Sequence, residues 1–254
     1  MIIDTHIHLY DDRYKENLDI IINEAIESDV KKMVLIGYDY ISSFKAIELA
    51  NKYPYFYATV GLHPSEVSKN GRNIDWICEL INNEKVIGIG EIGLDYYWDK
   101  TYIDLQKELF IKQIEIAKKY NLPISVHSRN ASNDTFTILK EHQVHGVLHC
   151  YSQSLELARE YVKLGYFLGI GGVVTFQNSK ELVEVVKEID LKYMVVETDG
   201  PYLAPHPYRG KLNLPKYINL VVEKIASLKN MEIEEVKKVL ETNTYSLFPK
   251  MRCL

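Results

Sequence analysis

The chain has 254 residues, 46% of them hydrophobic, and a formal net charge of −5. That supply of apolar residues suffices for one sizeable core, and the acidic balance excludes broad, sequence-independent coating of nucleic acid. Three widely spaced cysteines (Cys78, Cys150, Cys253) exclude a disulfide scaffold; with no membrane-spanning run and no basic leader in view, a cytoplasmic protein is expected.

Short apolar runs alternate with longer amphipathic stretches from one end to the other. In chain order, strands are expected at about 2–6, 33–37, 56–61, 86–91, 123–127, 146–150, 166–170 and 194–198. Helical spacing connects Leu105, Leu109, Ile111, Ile114, Ile116 and Ala117, and again Leu155, Leu157, Ala158 and Val162. Eight strand–helix units predict an α/β fold, a (β/α)8 TIM barrel, with residues 1–254 forming a single domain. A doubly wound open sheet is the alternative, but it carries a glycine-rich phosphate turn after its first strand. Here that position holds histidines, and Gly169-x-Gly171-Gly172 follows a late strand, where it reads as tight packing or a turn. Residues 215–247 predict a helix and a further short helix, both packed outside the barrel.

The first strand ends in His6-Ile7-His8. Strand side chains alternate faces, so two imidazoles two residues apart point the same way and form half a metal site. Further ionisable residues are expected at the carboxyl ends of later strands: Glu91 on the fourth, His127 on the fifth, His149 on the sixth and Asp199 on the eighth. That is the face on which barrel enzymes build their sites. Four histidines and two carboxylates exceed the needs of one four-coordinate ion and suit two divalent ions sharing a carboxylate.

In these residues the chain resembles the TatD-like metal-dependent deoxyribonucleases, within the amidohydrolase-like barrels. The resemblance runs along essentially the whole chain. It is carried by Asp4-Thr5-His6-Ile7-His8, Gly61-Leu62-His63-Pro64, Gly90-Glu91-Ile92-Gly93-Leu94-Asp95-Tyr96-Tyr97, His127-Ser128-Arg129 and His149-Cys150-Tyr151-Ser152. The most specific carrier is Glu197-Thr198-Asp199-Gly200-Pro201-Tyr202-Leu203-Ala204-Pro205, followed by Pro207-Tyr208-Arg209-Gly210-Lys211-x-Asn213. The chain departs from the family at Leu214, where a glutamate is usual, and at Gly200, which is more often serine.

The resemblance implies that Glu91 bridges two cations, with His6, His8 and Asp199 on one and His127 and His149 on the other. The expected cofactors are Mg, Zn or Mn, with a third ion left open. A metal-activated water would attack a phosphodiester, and Asp199 would accept or orient its proton. The expected substrate is a DNA strand end, trimmed 3′ to 5′, with RNA as a second candidate; a monomer without an obligate protein partner is expected. Arg129 and Arg209 are candidate phosphate clamps. His63 is a candidate for touching phosphate or supporting a ligand. Tyr96, on a loop with Tyr97 and Trp98, is a candidate for stacking on a terminal base. Glu197 lies two residues before Asp199 and is expected to support a ligating histidine. Two alternatives stay open: an amidohydrolase or esterase acting on a cyclic amide, lactone or aminoacyl ester, and a barrel that binds metal without turnover.

Overall fold

In a computed structural model, which describes residues 1–98 and 100–253, eight strands form one parallel sheet in chain order. They are β1 Ile2–Ile7, β2 Val30–Ile36, β3 Phe56–Val60, β4 Val86–Asp95, β5 Ile124–Arg129, β6 Gly146–Leu148, β7 Phe167–Ile170 and β8 Met194–Val196. Ile7 also bridges to Gly200, just past β8, which draws the sheet's two edges together. The result is a (β/α)8 TIM barrel.

The helices follow the strands: α1 Leu18–Glu27, α2 Tyr40–Lys52, α3 Val67–Asn70, α4 Trp76–Leu80, α5 Ile103–Tyr120, α6 Ser132–His142, α7 Leu155–Lys163, α8 Lys180–Glu188, α9 Ile218–Lys229 and α10 Ile233–Leu247. Two of them carry the apolar spacings read from the sequence, α5 burying Leu109, Ile114 and Ala117 and α7 burying Ala158. No helix of the described residues is long and apolar enough to cross a membrane.

Five strands differ from the sequence reading by two residues or more at one limit. β2 begins earlier, because Lys31 and Lys32 can continue the strand while their ammonium groups stay in reach of solvent. β4 runs on to Asp95, where Gly93, Leu94 and Asp95 pair with His127, Ser128 and Arg129 of β5. Glu91 therefore lies inside β4 rather than at its end, and Arg129 closes β5 rather than sitting on a loop. β6 and β8 stop early, so His149 and Asp199 lie just beyond their strands.

The end of the chain also departs from expectation. α10 spans 15 residues against 12 for α9, so it is not short. Its last residue, Leu247, together with Phe248 and Met251, is buried against Ile3, Tyr57, Ile87, Phe167 and Val195 near the strands' starts. The tail thus plugs the amino end of the barrel from within instead of packing only outside it. Apolar side chains there replace water that would otherwise enter the lumen.

Candidate metal centre

The carboxylate of Glu91 is the hub of the barrel's carboxyl end. Its Oε1 lies 2.9 Å from His127 Nδ1, 3.3 Å from His63 Nε2 and 3.5 Å from His149 Nε2. Its Oε2 lies 3.5 Å from His6 Nε2. Asp199 Oδ1 faces both His6 Nε2 and His8 Nε2 at 3.7 Å. The rings of His6 and His149 stack with centroids 3.6 Å apart. All six residues expected to hold metal therefore converge, and His63 joins them. Three overlapping groups have ligand atoms close enough to share a cation: His6, His8 and Glu91; His6, His149 and Asp199; and His63, Glu91 and His127.

Local backbone devices aim these side chains. β1 has a register irregularity between Asp4 and Ile7. It resets the alternation, so that both Ile3 and His6 face the lumen. Asp199 takes a left-handed φ of 55°, and its N–H donates to His6 O at 2.9 Å, which ties the carboxylate to β1. At Gly93, φ is 142° and a Cβ would lie 2.0 Å from His127 O, so only glycine lets β4 pass so close to β5.

Hydrogen bonds fix which nitrogen each ring offers. His8 Nδ1 donates to Ile36 O at 3.0 Å and His149 Nδ1 to Glu197 Oε1 at 3.0 Å. Both leave Nε2 turned into the centre, as a ligand must. His6 Nε2 is buried with no hydrogen-bond partner. The separations also fit cations: donors about 2.1 Å from a tetrahedral ion stand roughly 3.4 Å from one another, wider than a hydrogen bond. Most of the pairs above span 3.3–3.7 Å. His63 differs. Its Nδ1 accepts from Ser65 N–H at 3.1 Å, which leaves the proton on Nε2 and makes it a donor toward Glu91.

Electrostatics agree with a centre built for positive charge. Burial would raise the Glu91 carboxyl, but the surrounding imidazoles outweigh it and hold it well below the usual range. Asp199 is likewise lowered by His8, His149 and His6 against the opposing effect of burial. Burial pushes the His149 imidazole down, yet Glu197 and Glu91 reverse this and carry it to about 10. His6 goes down through burial and the neighbouring His149. Two carboxylates and four histidines, oriented this way, can bind divalent cations and polarise a bound oxygen.

At the rim, the guanidinium of Arg129 lies 3.8 Å over the Tyr97 ring and 5.3 Å from that of Trp98. Arg209 lies 4.5 Å over Phe176. Among the described residues neither arginine pairs with a carboxylate, unlike Arg13 with Asp11 and Arg72 with Glu108. Tyr96 turns away: its hydroxyl donates to Asp134 at 2.8 Å, so the exposed aromatics are Tyr97 and Trp98 instead. Glu197 accepts from both His149 and Cys150 N–H. It fits because Gly169 has no Cβ; one would meet Glu197 Oε2 at 2.4 Å.

Two contributors escaped the sequence reading. Asp95 accepts from His127 Nε2 at 3.1 Å, holding the ring from the side opposite Glu91. Glu91 and Asp95 share a strand only because β4 runs on past the expected end at residue 91 to pair with β5. Asp4 accepts from the Thr198 hydroxyl and N–H and from His6 N–H, and burial raises it to about 7. It couples the loop bearing Asp199 to the strand bearing His6.

The sequence model of the family described as TatD related DNase matches residues 3–249. An uncharacterized metal-dependent hydrolase of Bacillus subtilis, YabD, is 44% identical over 98% of this chain and 99% of its own length. One from Methanocaldococcus jannaschii is 39% identical over 98% and 97%. Among solved structures, the TatD homologue YjjV of Escherichia coli superposes with a TM-score of 0.91 at 29% identity, over 98% of each chain. A TatD family hydrolase of Entamoeba histolytica gives 0.86 at 25% identity, over 97% of each. Agreement that runs almost end to end at this level makes the chain a member of the TatD related DNase family and a metal-dependent hydrolase.

Proposed function

We propose that the protein hydrolyses phosphodiester bonds at the end of a DNA strand, removing nucleotides 3′ to 5′ as a cytoplasmic monomer. The observation that carries this reading is the pair of rim arginines, Arg129 and Arg209, whose guanidinium groups have no carboxylate partner among the described residues. Forked cations beside a carboxylate-centred histidine cluster suit a polyanion better than a neutral amide or lactone.

In this reading His6, His8, His127, His149, Glu91 and Asp199 would hold two divalent ions, Mg, Zn or Mn. Such ions supply Lewis-acid charge to a phosphoryl oxygen and lower the pKa of water. The chain's own groups do the rest. Asp199, kept ionised at neutral pH, accepts the proton of the attacking water. His63 Nε2–H donates to an anionic oxygen near Glu91. Arg129 holds the phosphate that joins the terminal nucleoside to the strand, Arg209 holds a flanking phosphate, and Glu197 keeps His149 oriented. Tyr97 and Trp98 offer the exposed rings expected of Tyr96.

The test is metal-stripped protein incubated with end-labelled single- and double-stranded DNA and RNA, with Mg, Mn or Zn added and Glu91→Ala alongside. A ladder shortened from the 3′ end, absent in the variant, is the expected result. Tight metal binding with no cleavage of any nucleic acid would overturn it and favour amide or ester hydrolysis.

A further inference from the structure

Beside the metal centre, a cleft of about 650 Å³ opens between the loops that follow β5 and β6. Its size is that of a small-ligand site. It reaches inward to Arg129, which ends β5 two residues after His127 and therefore faces the same side of the strand. Arg129 is held in place by its stacking on Tyr97, and its fork of donors is unclaimed by any carboxylate of the described residues. The far wall has the opposite character. It carries Gln153, Glu156 and Glu160. The Gln153 Oε1 atom is buried and accepts no hydrogen bond. Glu160 is partly neutralised by Lys163, and Glu156 makes no ion pair among the described residues, although Ser154 and its own N–H hold its carboxylate and Arg159 lies near it.

The Arg129 end of the cleft thus carries positive charge and the far wall negative charge, with Ser152, Gln153 and Ser154 there able both to donate and to accept. A nucleotide whose phosphate lies at Arg129 would turn its sugar toward Gln153 and Glu156. There a hydroxyl can donate, but a second phosphate only accepts and is repelled. We infer that this cleft receives the terminal nucleoside of the strand and selects a 3′-hydroxyl end over a 3′-phosphate end. The inference rests on the phosphodiesterase reading, which it deepens by naming the end chemistry.

The experiment is fluorescence anisotropy of 5′-labelled single-stranded oligonucleotides, identical except for a 3′-hydroxyl or 3′-phosphate, with full-length protein in chelator at low salt. Binding is read without turnover. The hydroxyl end should bind on the order of tenfold more tightly, since the phosphate end meets repulsion from Glu156 and Glu160. In Glu156→Gln/Glu160→Gln the preference should shrink severalfold, and added salt should shrink it in the wild type. Arg129→Ala should weaken both ends alike, by about tenfold, through loss of a charge-assisted phosphate contact. Equal binding of the two ends by wild type, or a preference that survives the double variant intact, would overturn the inference. The two readings fail separately. Cleavage from the 3′ end with equal use of both ends keeps the nuclease and removes the subsite; end-selective binding without cleavage in any metal keeps the subsite and removes the nuclease.

Discussion

The two ends of this barrel are closed by opposite kinds of matter. At the amino end Phe248, Met251 and Leu247 fill the lumen with apolar atoms, so closure and stability coincide. At the carboxyl end the lumen is lined by His6, His127, His149, Glu91 and Asp199, buried or half-buried, whose separations, apart from the 2.9 Å contact of His127 with Glu91, exceed ordinary hydrogen bonds. Buried ionisable groups held apart in this way destabilise a fold until something satisfies them. One end therefore stabilises the molecule unconditionally and the other does so only with a ligand. A barrel can carry both because its strands separate the two layers along their length.

The largest test of that contrast is Glu91→Ala. It removes the atom pair around which four imidazoles gather, and metal-dependent turnover should fall by at least about a thousandfold. The fold should persist, so circular dichroism stays native. Saturating metal at roughly a thousand times its dissociation constant should stabilise the wild type by about 4 kcal/mol. Chelation should remove that gain, and Glu91→Ala should lack most of it; thermal unfolding with and without metal decides. Phe248→Ala is the complementary break. Truncating a fully buried aromatic in the plug should cost about 3–5 kcal/mol in denaturant unfolding. Metal stoichiometry, measured by titration where the variant is still folded, should not move. If it does, the two ends are coupled and the contrast is wrong.

The two ends also differ in how legible they are in sequence. The metal face is written in short local motifs: His6-Ile7-His8, the glycines around Glu91, His127-Ser128-Arg129 and Glu197-Thr198-Asp199 each place an ionisable residue against an apolar run. Alternation then fixes its direction. What stayed hidden needed two strands at once. The β1 irregularity that brings Ile3 and His6 to the same side is a property of β1–β2 pairing. Asp95 shows its role only once β4 is known to extend beside His127. The place of His63 in the cluster depends on Ser65 fixing its tautomer. The plug was least readable, since Phe248 meets strands far away in sequence and its motif, Leu-Phe-Pro, looks like any helix end.

A finer test separates the support of the metal face from its ligands. Glu197 is buried, holds His149 Nδ1 and contributes to raising that imidazole to about 10. Below that pH a cation must displace the His149 proton, so wild-type affinity should rise with pH from neutrality toward 10. In Glu197→Gln the imidazole should hold its proton less tightly, and this slope should flatten. At high pH, where proton competition has gone, affinity should still be lower by about 10–100-fold because the ring is less firmly oriented. Titration at several pH values checks both. An unchanged slope would mean that Glu91 alone sets the His149 charge.

The smallest expected effect lies at the rim, where the metal face meets solvent. Arg209 stacks 4.5 Å over Phe176 and has no carboxylate to satisfy it. Its loop is anchored by Asn213, whose amide donates to Thr198 O and Tyr202 O, so truncating Arg209 should leave the loop in place. If the guanidinium holds a flanking phosphate, Arg209→Ala should raise KM for an oligonucleotide by about tenfold, the value of one charge-assisted contact, with little change in kcat. The dependence of log KM on log salt should also become shallower by about 0.7, one phosphate contact on a single strand. Arg209→Lys keeps the charge and the salt slope but loses the planar fork, and should recover only part of the KM. If lysine restores everything, Arg209 acts as a point charge; if alanine lowers kcat instead of raising KM, the residue belongs to the reacting centre and the boundary between rim and metal face must be redrawn.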